Sequence, residues 1–529
     1  MPMIRTVLTS ALLLPVLAVC GGEYDGERWW AHVKYLADDN MQGRETGSAG
    51  YLEAARYVAA EFERAGLAPA GTQTYLQPIK FRSRKVIDEG TSITLKRSGG
   101  SEALTIGDDA VLSPRVDTPP EVEAQMVFVG YGLTIPEANY DDFAGLDVKG
   151  KVVVYLIGAP PKVPGALGSH YQSVGERANL LRKLGAIGTV SFSNPAHMDL
   201  PWSRIASSRV IPAMVLDDAS LDETQGIRLA VGVNPASVDK ILGGSGHNFQ
   251  EILAAANSGQ PLPHFAIPGT LQVKAHVETR EAVSPNVVAK LEGSDPRLKE
   301  EYVVFSAHLD HVGVGAPING DSIYNGAMDN ASGIAAMLDI AATLHDKHAR
   351  PKRSLLFVAV CGEEKGLLGS RYFASHPTVE GKQIVADINS DMFLPLFPLK
   401  QLTAFGAEES SLGDDVAAVA KSLGVRMQPD PEPQRNVFIR SDQYSFIRQG
   451  IPSLALKLGY DKGSPEEKVV KTWLAERYHA PSDDLQQPVD REAAGKFDRL
   501  VAALLMRVAN EKQRPEWRST SFFKRFASR

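Results

Sequence analysis

The chain reads as an α/β fold: a mixed, largely parallel central sheet flanked by helices, with a β-rich segment inserted into it. Three observations predict this. Apolar runs at 302–307, 355–360 and 384–388 have the length and β-branched content of buried strands. From Val283 to about residue 510 such runs alternate with amphipathic helical patterns, the rhythm of strand–helix–strand units. Between about 90 and 275 the texture changes to proline, glycine and short β-rich runs.

At 529 residues the chain exceeds one hydrophobic core, so more than one domain is expected. Residues 1–20 read as an export signal: Arg5 precedes an apolar core over 7–19. It ends in Leu17-Ala18-Val19-Cys20, which resembles the bacterial lipoprotein box and makes Cys20 a candidate lipid-attachment residue. Val19 departs from the small residue usual there, and ordinary signal cleavage is the alternative. Either reading exports the protein, as a periplasmic or outer-membrane lipoprotein or in secreted form. The α/β domain is expected in two parts, 21–89 and 276–515, around the insert at 90–275, with a tail at 516–529.

Helices are expected over 29–66, where Leu52, Ala55, Ala59 and Phe62 share one face and Gly66 sits at a C-cap position. In the insert, 125–131 and 151–157 read as strands and 176–184 as a helix closed by Gly185. After Asp329, Ile334, Leu338, Ala341 and His345 mark one helix face. The tail carries Trp517, Phe522, Phe523 and Phe526, expected to pack on the parent domain rather than on a membrane. Hydrophobic content of 43% with 22% charged residues is that of an ordinary globular protein. The net charge of -7 is diffuse and gives no reason to expect nucleic acid, and no apolar run is long enough for a transmembrane span. The two cysteines are Cys20 and Cys361, so no internal disulfide is expected once Cys20 is lipidated or removed. Cys361 reads as a packed thiol.

The chemistry gathers where these strands end. His308-Leu309-Asp310-His311 closes the first run, Glu363-Glu364 follows the second, and Asp391 follows the third. Asp329-Asn330 precedes a helix, and Tyr478-His479 comes much later. Ligands of open α/β sheets bind beyond the carboxyl ends of the strands, so five carboxylates and two histidines should converge. Two like charges about 4 Å apart repel by ~4 kcal/mol at an effective dielectric of ~20, which calls for cations. Imidazole nitrogen mixed with carboxylate oxygen suits zinc. His311 reads as a helix-start or surface histidine, and Asp483 as a support for His479 or a helix cap. No Gly-x-Ser-x-Gly and no His-Glu-x-x-His occurs.

The set His308-x-Asp310, Asp329-Asn330, Glu363-Glu364, Asp391 and Tyr478-His479 resembles the co-catalytic dizinc exopeptidases. These include secreted bacterial leucine-type aminopeptidases, glutamate carboxypeptidase and the inactive transferrin receptor ectodomain. Gly43-Arg44-Glu45-Thr46-Gly47-Ser48 looks like the family's opening motif, and the insert like a protease-associated domain. The resemblance implies the zinc exopeptidase fold, peptide substrates and two Zn2+ per chain. Asp329 would bridge the ions, His308 and Asp391 completing one site, Glu364 and His479 the other. Glu363 would be the general base toward a metal-bridging water, Asp310 would hold the His308 imidazole, and Tyr478 would donate to the oxyanion. The Asp329–Asn330 peptide would be cis. Ser441-Asp442-Gln443 departs at Gln443 from the family's Ser-Asp-His. Aminopeptidase action is the reading carried forward. A carboxypeptidase, a glutaminyl cyclase-like acyltransferase and a receptor-like protein are the alternatives.

Overall fold

A computed structural model describes residues 24–198, 200–435 and 437–528. The expected export signal and Cys20 lie outside them. Nine strands carry the main sheet: β1 (Leu76–Val86), β2 (Ala213–Leu216), β3 (Val277–Leu291), β4 (Tyr302–His308), β5 (Ser354–Val360), β6 (Ile384–Asn389), β7 (Gln401–Phe405), β8 (Arg426–Gln428) and β9 (Ser453–Leu458). Their order is β2-β1-β3-β5-β4-β6-β9-β7-β8, with the short strand Ala68–Pro69 added on β3. The centre, β5-β4-β6-β9, is parallel. The expected predominance of parallel pairing stops there, apart from the edge pair β7–β8. β2, β1 and β3 run antiparallel on one flank, and β7 runs antiparallel to β9 on the other. Parallel neighbours need helical crossovers, and those crossovers lie between β4 and β9.

Period-two burial explains why the central strands read as continuous apolar runs: both of their faces are covered. Val303, Phe305 and Ala307 of β4 join Leu355, Phe357 and Ala359 of β5 in one core, while Val304 packs with Leu356 and Val358 in another. The first core is roofed by α1 (Gly26–Leu36), α2 (Ala49–Arg64), α3 (Ser332–Asp346) and α4 (Arg491–Asn510). The second lies under Phe373 and Phe446. The buried face of α2 is Tyr51, Ala55, Val58 and Phe62; the expected Leu52 and Ala59 are only half-buried. Gly66 does close the helix, with φ +68° and the Leu67 amide donating to the Phe62 carbonyl at 3.0 Å.

Between β1 and β3 the chain builds a second sheet of eight strands, with a hydrophobic core of its own around Phe128, Val154, Phe192 and Leu271. The stretch is not closed on itself, because β2 leaves it to pair with β1 at the edge of the main sheet. The C-terminal tail buries Trp517, Phe523 and Phe526 against Phe405 and Phe438. Among the described residues no helix is long and apolar enough to cross a membrane.

Candidate metal centre

Each strand end delivers what the sequence placed there. His308 is the last residue of β4, Glu363 and Glu364 follow β5 in a turn, and Asp391 follows β6. Asp329 leads into α3, and His479 comes from the loop after Pro465–Glu476. The Asp329–Asn330 peptide is cis. The two oxygens of Asp329 face different partners. Oδ1 lies 3.3 Å from His308 Nε2, which is itself 3.4 Å from Asp391 Oδ1. Oδ2 lies 3.3 Å from His479 Nε2, which is 3.1 Å from Glu364 Oε2. Glu363 borders the same cavity as Asp329 and Asp391 but belongs to neither group of converging atoms.

The neighbouring elements hold this arrangement in place. Asp483 is fully buried and accepts the amides of Met328 at 2.9 Å and Asp329 at 3.0 Å. It therefore supports Asp329 rather than His479. Arg44 is also fully buried; its guanidinium donates to the carbonyls of Leu36, Leu309, Asn325 and Gly326. Thr46 donates its hydroxyl to Asp310 Oδ2 at 2.9 Å. The opening motif thus acts as a strut under the His308 loop. Asp310 differs from its expected role. His308 Nδ1 faces the Asp310 main-chain carbonyl at 3.0 Å, while the nearest carboxylate oxygen is 3.9 Å away. That carboxylate accepts the amides of Glu363 at 3.1 Å and Glu364 at 3.3 Å, fixing the turn that aims both glutamates.

His311 corrects the sequence reading. It is fully buried, with Nδ1 2.9 Å from Glu364 Oε1 and 3.7 Å from Asp329 Oδ2. No helix starts there: the chain turns sharply after β4, and position i+3 comes back to the strand end. Gln443 is buried as well, accepting from Asn389 at 2.8 Å and donating to the Phe438 carbonyl at 3.0 Å, so it ties a loop to β6. Cys361 is a packed thiol whose sulfur faces the Ser284 carbonyl at 3.7 Å. Sequence reasoning passed over Lys457, which lines the cavity beside Asp391. The signal was available: it is the one charge in the otherwise apolar run of β9.

The electrostatics fit cations. Burial works against ionising Asp329, yet His311, His308 and His479 hold its carboxyl well below the usual range. Burial likewise opposes ionisation of Glu364, but His479 and His311 keep it low. Despite burial, the surrounding carboxylates in turn favour the protonated forms of His308 and His479, a neutralising role that divalent metals can take over. Buried Asp329 Oδ2 and Glu364 Oε1, with both His311 nitrogens, have no hydrogen-bond partner. Such atoms are rare in native interiors and call for an ion or water. His308, Asp329 and Asp391 converge as one potential ligand set, and His311, Asp329 and Glu364 as another. Glu363 behaves oppositely to Glu364: burial, with the charges of Glu364 and Asp391, pushes its carboxyl well up despite the pull of His308.

With this geometry in hand, residues 286–505 match the family described as Peptidase family M28. The chain is 26% identical over 403 residues to a probable leucine aminopeptidase 2 of Aspergillus oryzae, spanning 73% of this chain and 68% of that protein. It is 33% identical over 118 residues to carboxypeptidase Q of Xenopus laevis, spanning 22% of this chain and 23% of that one. Among solved structures, the aminopeptidase from Aneurinibacillus sp. strain AM-1 is similar in fold, with a TM-score of 0.55 at 20% identity over 91% of this chain and 93% of that chain. Ordered motifs, fold and family match point the same way, and it is residues 286–505 that match peptidase family M28.

Proposed function

We propose that the chain is a dizinc aminopeptidase that releases N-terminal residues from peptides. The two-sided presentation of Asp329 carries this reading: one carboxylate faces His308 with Asp391 and, through its other oxygen, His479 with Glu364. His308, Asp329 and Asp391 would hold one ion, and Asp329, Glu364 and His479 the other. When bound, two divalent ions supply Lewis-acid polarisation of the scissile carbonyl and a more acidic water. Glu363 stands free of both sets. It takes a proton from the attacking water and returns it to the leaving amine, a role open to a carboxylate that lines the cavity without joining either ligand set. Tyr478 borders the same cavity, and burial pushes its hydroxyl up to about 12, so it stays a proton donor toward the developing oxyanion. Asp310 and Asp483 position the turn and the bridging aspartate.

Aminopeptidase polarity is supported by the relatives named so. A carboxypeptidase reading draws on Arg435 and Arg440, which line the same cavity and offer cations for a substrate carboxylate. The second sheet serves in this proposal as a protease-associated domain at the rim. Leu200, Arg204 and Arg115 from it face Glu364 and His479 across one cavity. The protein works outside the cytoplasm, anchored at a lipidated Cys20 or released. Amino-acid anilides and N-blocked peptides, assayed before and after chelation, test the reading. Cleavage of free-amine anilides alone, lost on chelation and restored by zinc, is expected. Hydrolysis of N-blocked peptides bearing a free carboxylate would move the assignment to carboxypeptidase.

A further inference from the structure

We propose that His311 is a direct ligand of the second metal, so that the two sites hold their ions unequally; the inference rests on the dimetal reading above. His311 is buried to 0% exposure with its ring 5.7 Å from that of His479. Its Nδ1 comes within 2.9 Å of Glu364 Oε1, yet neither atom makes a hydrogen bond. The two are close without being aimed at each other, as expected when both point at a third body between them. Asp329 Oδ2, equally unpartnered, closes the same space. Leaving a buried polar atom unpaired costs about 1–3 kcal/mol, and the three that meet here, His311 Nδ1, Glu364 Oε1 and Asp329 Oδ2, are explained together by one cation.

The separations agree with a shared ion. Bonds of about 2.0–2.1 Å, usual for zinc, give tetrahedral ligand–ligand edges of about 3.3 Å. The separations here are 2.9 Å from His311 to Glu364 Oε1, 3.1 Å from His479 to the other Glu364 oxygen, and 3.3 and 3.7 Å from His479 and His311 to Asp329 Oδ2, so Glu364 would offer both oxygens. The second site therefore has four protein groups, two of them imidazoles. The first has three, His308, Asp329 and Asp391. Closed tetrahedral sets are structural, whereas an open fourth position admits substrate. The first ion is then the one that takes the substrate carbonyl, and the second is the one the protein keeps.

Zinc titration of the metal-free protein, with cobalt(II) absorption spectra, tests this on wild type, His311→Gln and His311→Ala. Two classes of zinc affinity are expected for wild type. Both variants should lose more than about 100-fold in the tighter class, with a changed cobalt spectrum at that site. A loss confined to about 10–100-fold with an unchanged spectrum is the signature of a group supporting a ligand from outside, and would overturn direct ligation. So would unchanged affinity. Circular dichroism of each variant guards against misfolding, and the glutamine variant keeps most of the side-chain volume. Failure of wild type to take up two ions would instead defeat the dimetal reading.

A separate observation bears on the substrate. We infer that the cavity beside Asp391 receives an acidic side chain at the substrate's first residue, an inference resting on the aminopeptidase reading. The cavity has a volume of about 110 Å³ and Lys457 lines it beside Asp391. Burial depresses the ammonium while Asp391 draws it up. Lys457 makes no hydrogen bond or ion pair among the described residues, and its ammonium is not sealed from the cavity. The rim carboxylates are already engaged. Asp430 accepts the Glu432 amide at 2.8 Å, and Glu432 lies 3.4 Å from Arg435. An apolar side chain entering here would strip water from an unpaired cation, whereas a carboxylate would pair with it. Leu394, Leu458 and Val470 line the same cavity.

Glutamyl, glutaminyl, aspartyl and leucyl anilides decide the matter. Wild type should favour glutamyl over isosteric glutaminyl by about tenfold or more in kcat/KM, a margin of one charge-assisted hydrogen bond. Lys457→Met should collapse that ratio without changing zinc content. Equal rates for the two substrates in wild type, or a ratio that survives Lys457→Met, would overturn the inference. Cleavage only of substrates with a free carboxylate and blocked amine would defeat the aminopeptidase reading on which it rests.

Discussion

Glu363 and Glu364 are adjacent in sequence and opposed in environment. Glu364 points one oxygen at His479 and the other at His311, and those imidazoles keep it ionised. Glu363 feels only the pull of His308, which burial and the neighbouring carboxylates outweigh, pushing its carboxyl up. Glu363→Gln should therefore lower kcat by about 10²–10⁴-fold, the usual worth of a general base, while metal content stays near that of wild type. Glu364→Gln should lose metal as well. Metal analysis paired with turnover for both variants checks this, and normal activity in Glu363→Gln would reverse the two roles. The residue types and their order after strands were legible in the sequence because ligation demands particular side chains. The supports were harder to read. Asp310 acts on His308 through its carbonyl, which any residue carries, so its side chain gave no clue to that contact. His311 required the course of the turn, and Asp483 the knowledge that a loop 154 residues away returns to Asp329.

At the scale of elements, α1, α3 and α4 meet around a buried charge cluster. Arg28 of α1 pairs with Asp339 of α3, and Asp498 of α4 lies beside it, both carboxyls with 0% exposure. Burial, and then Asp339, pushes Asp498 well above the usual carboxyl range. A carboxyl whose folded pKa is raised keeps its proton in the folded state while the unfolded chain releases it. Between the unfolded pKa and the folded one, stability therefore falls as pH rises. Asp498→Asn removes that dependence. The variant should gain stability relative to wild type as pH climbs from about 4 toward 8, read from melting temperatures across that range. A constant difference between the two proteins would show that Asp498 is ionised throughout. The helices themselves were visible as periodic apolar stripes, but the face of α2 was misplaced. Leu52 fitted the periodicity, whereas Tyr51 is held inward by its hydroxyl, which donates to the Pro285 carbonyl at 2.7 Å. A hydrogen bond outweighed the more apolar side chain.

In the molecule as a whole, the last residues join parts that are distant in sequence. Phe523 is fully buried among Phe438, Trp517 and Phe526, and its ring also lies 6.5 Å from that of His170 in the second-sheet region. Phe523→Ala should cost about 3–5 kcal/mol, seen as a lower midpoint in chemical denaturation with zinc content unchanged before the transition. A midpoint equal to that of wild type would mean that the tail is not part of the cooperative unit. The tail's aromatic content was plain in the sequence, but its docking surface was not, since that surface is assembled from segments near 170, 405 and 438.

The register of β1 on β3 has a further consequence. Leu76 pairs with Val287 and Val86 with Val277, so the chain leaves and re-enters the main sheet at neighbouring positions of one antiparallel ladder. To the folding chain, everything between Val86 and Val277, apart from the edge strand β2, is the loop of a hairpin. Closing such a loop becomes harder only logarithmically with its length, about 0.6 kcal/mol for each doubling. A two-residue turn and a whole second sheet thus differ by under seven doublings, about 4 kcal/mol in entropic cost. This is the kind of place where a chain acquires a large appendage without rearranging the strands that carry its chemistry.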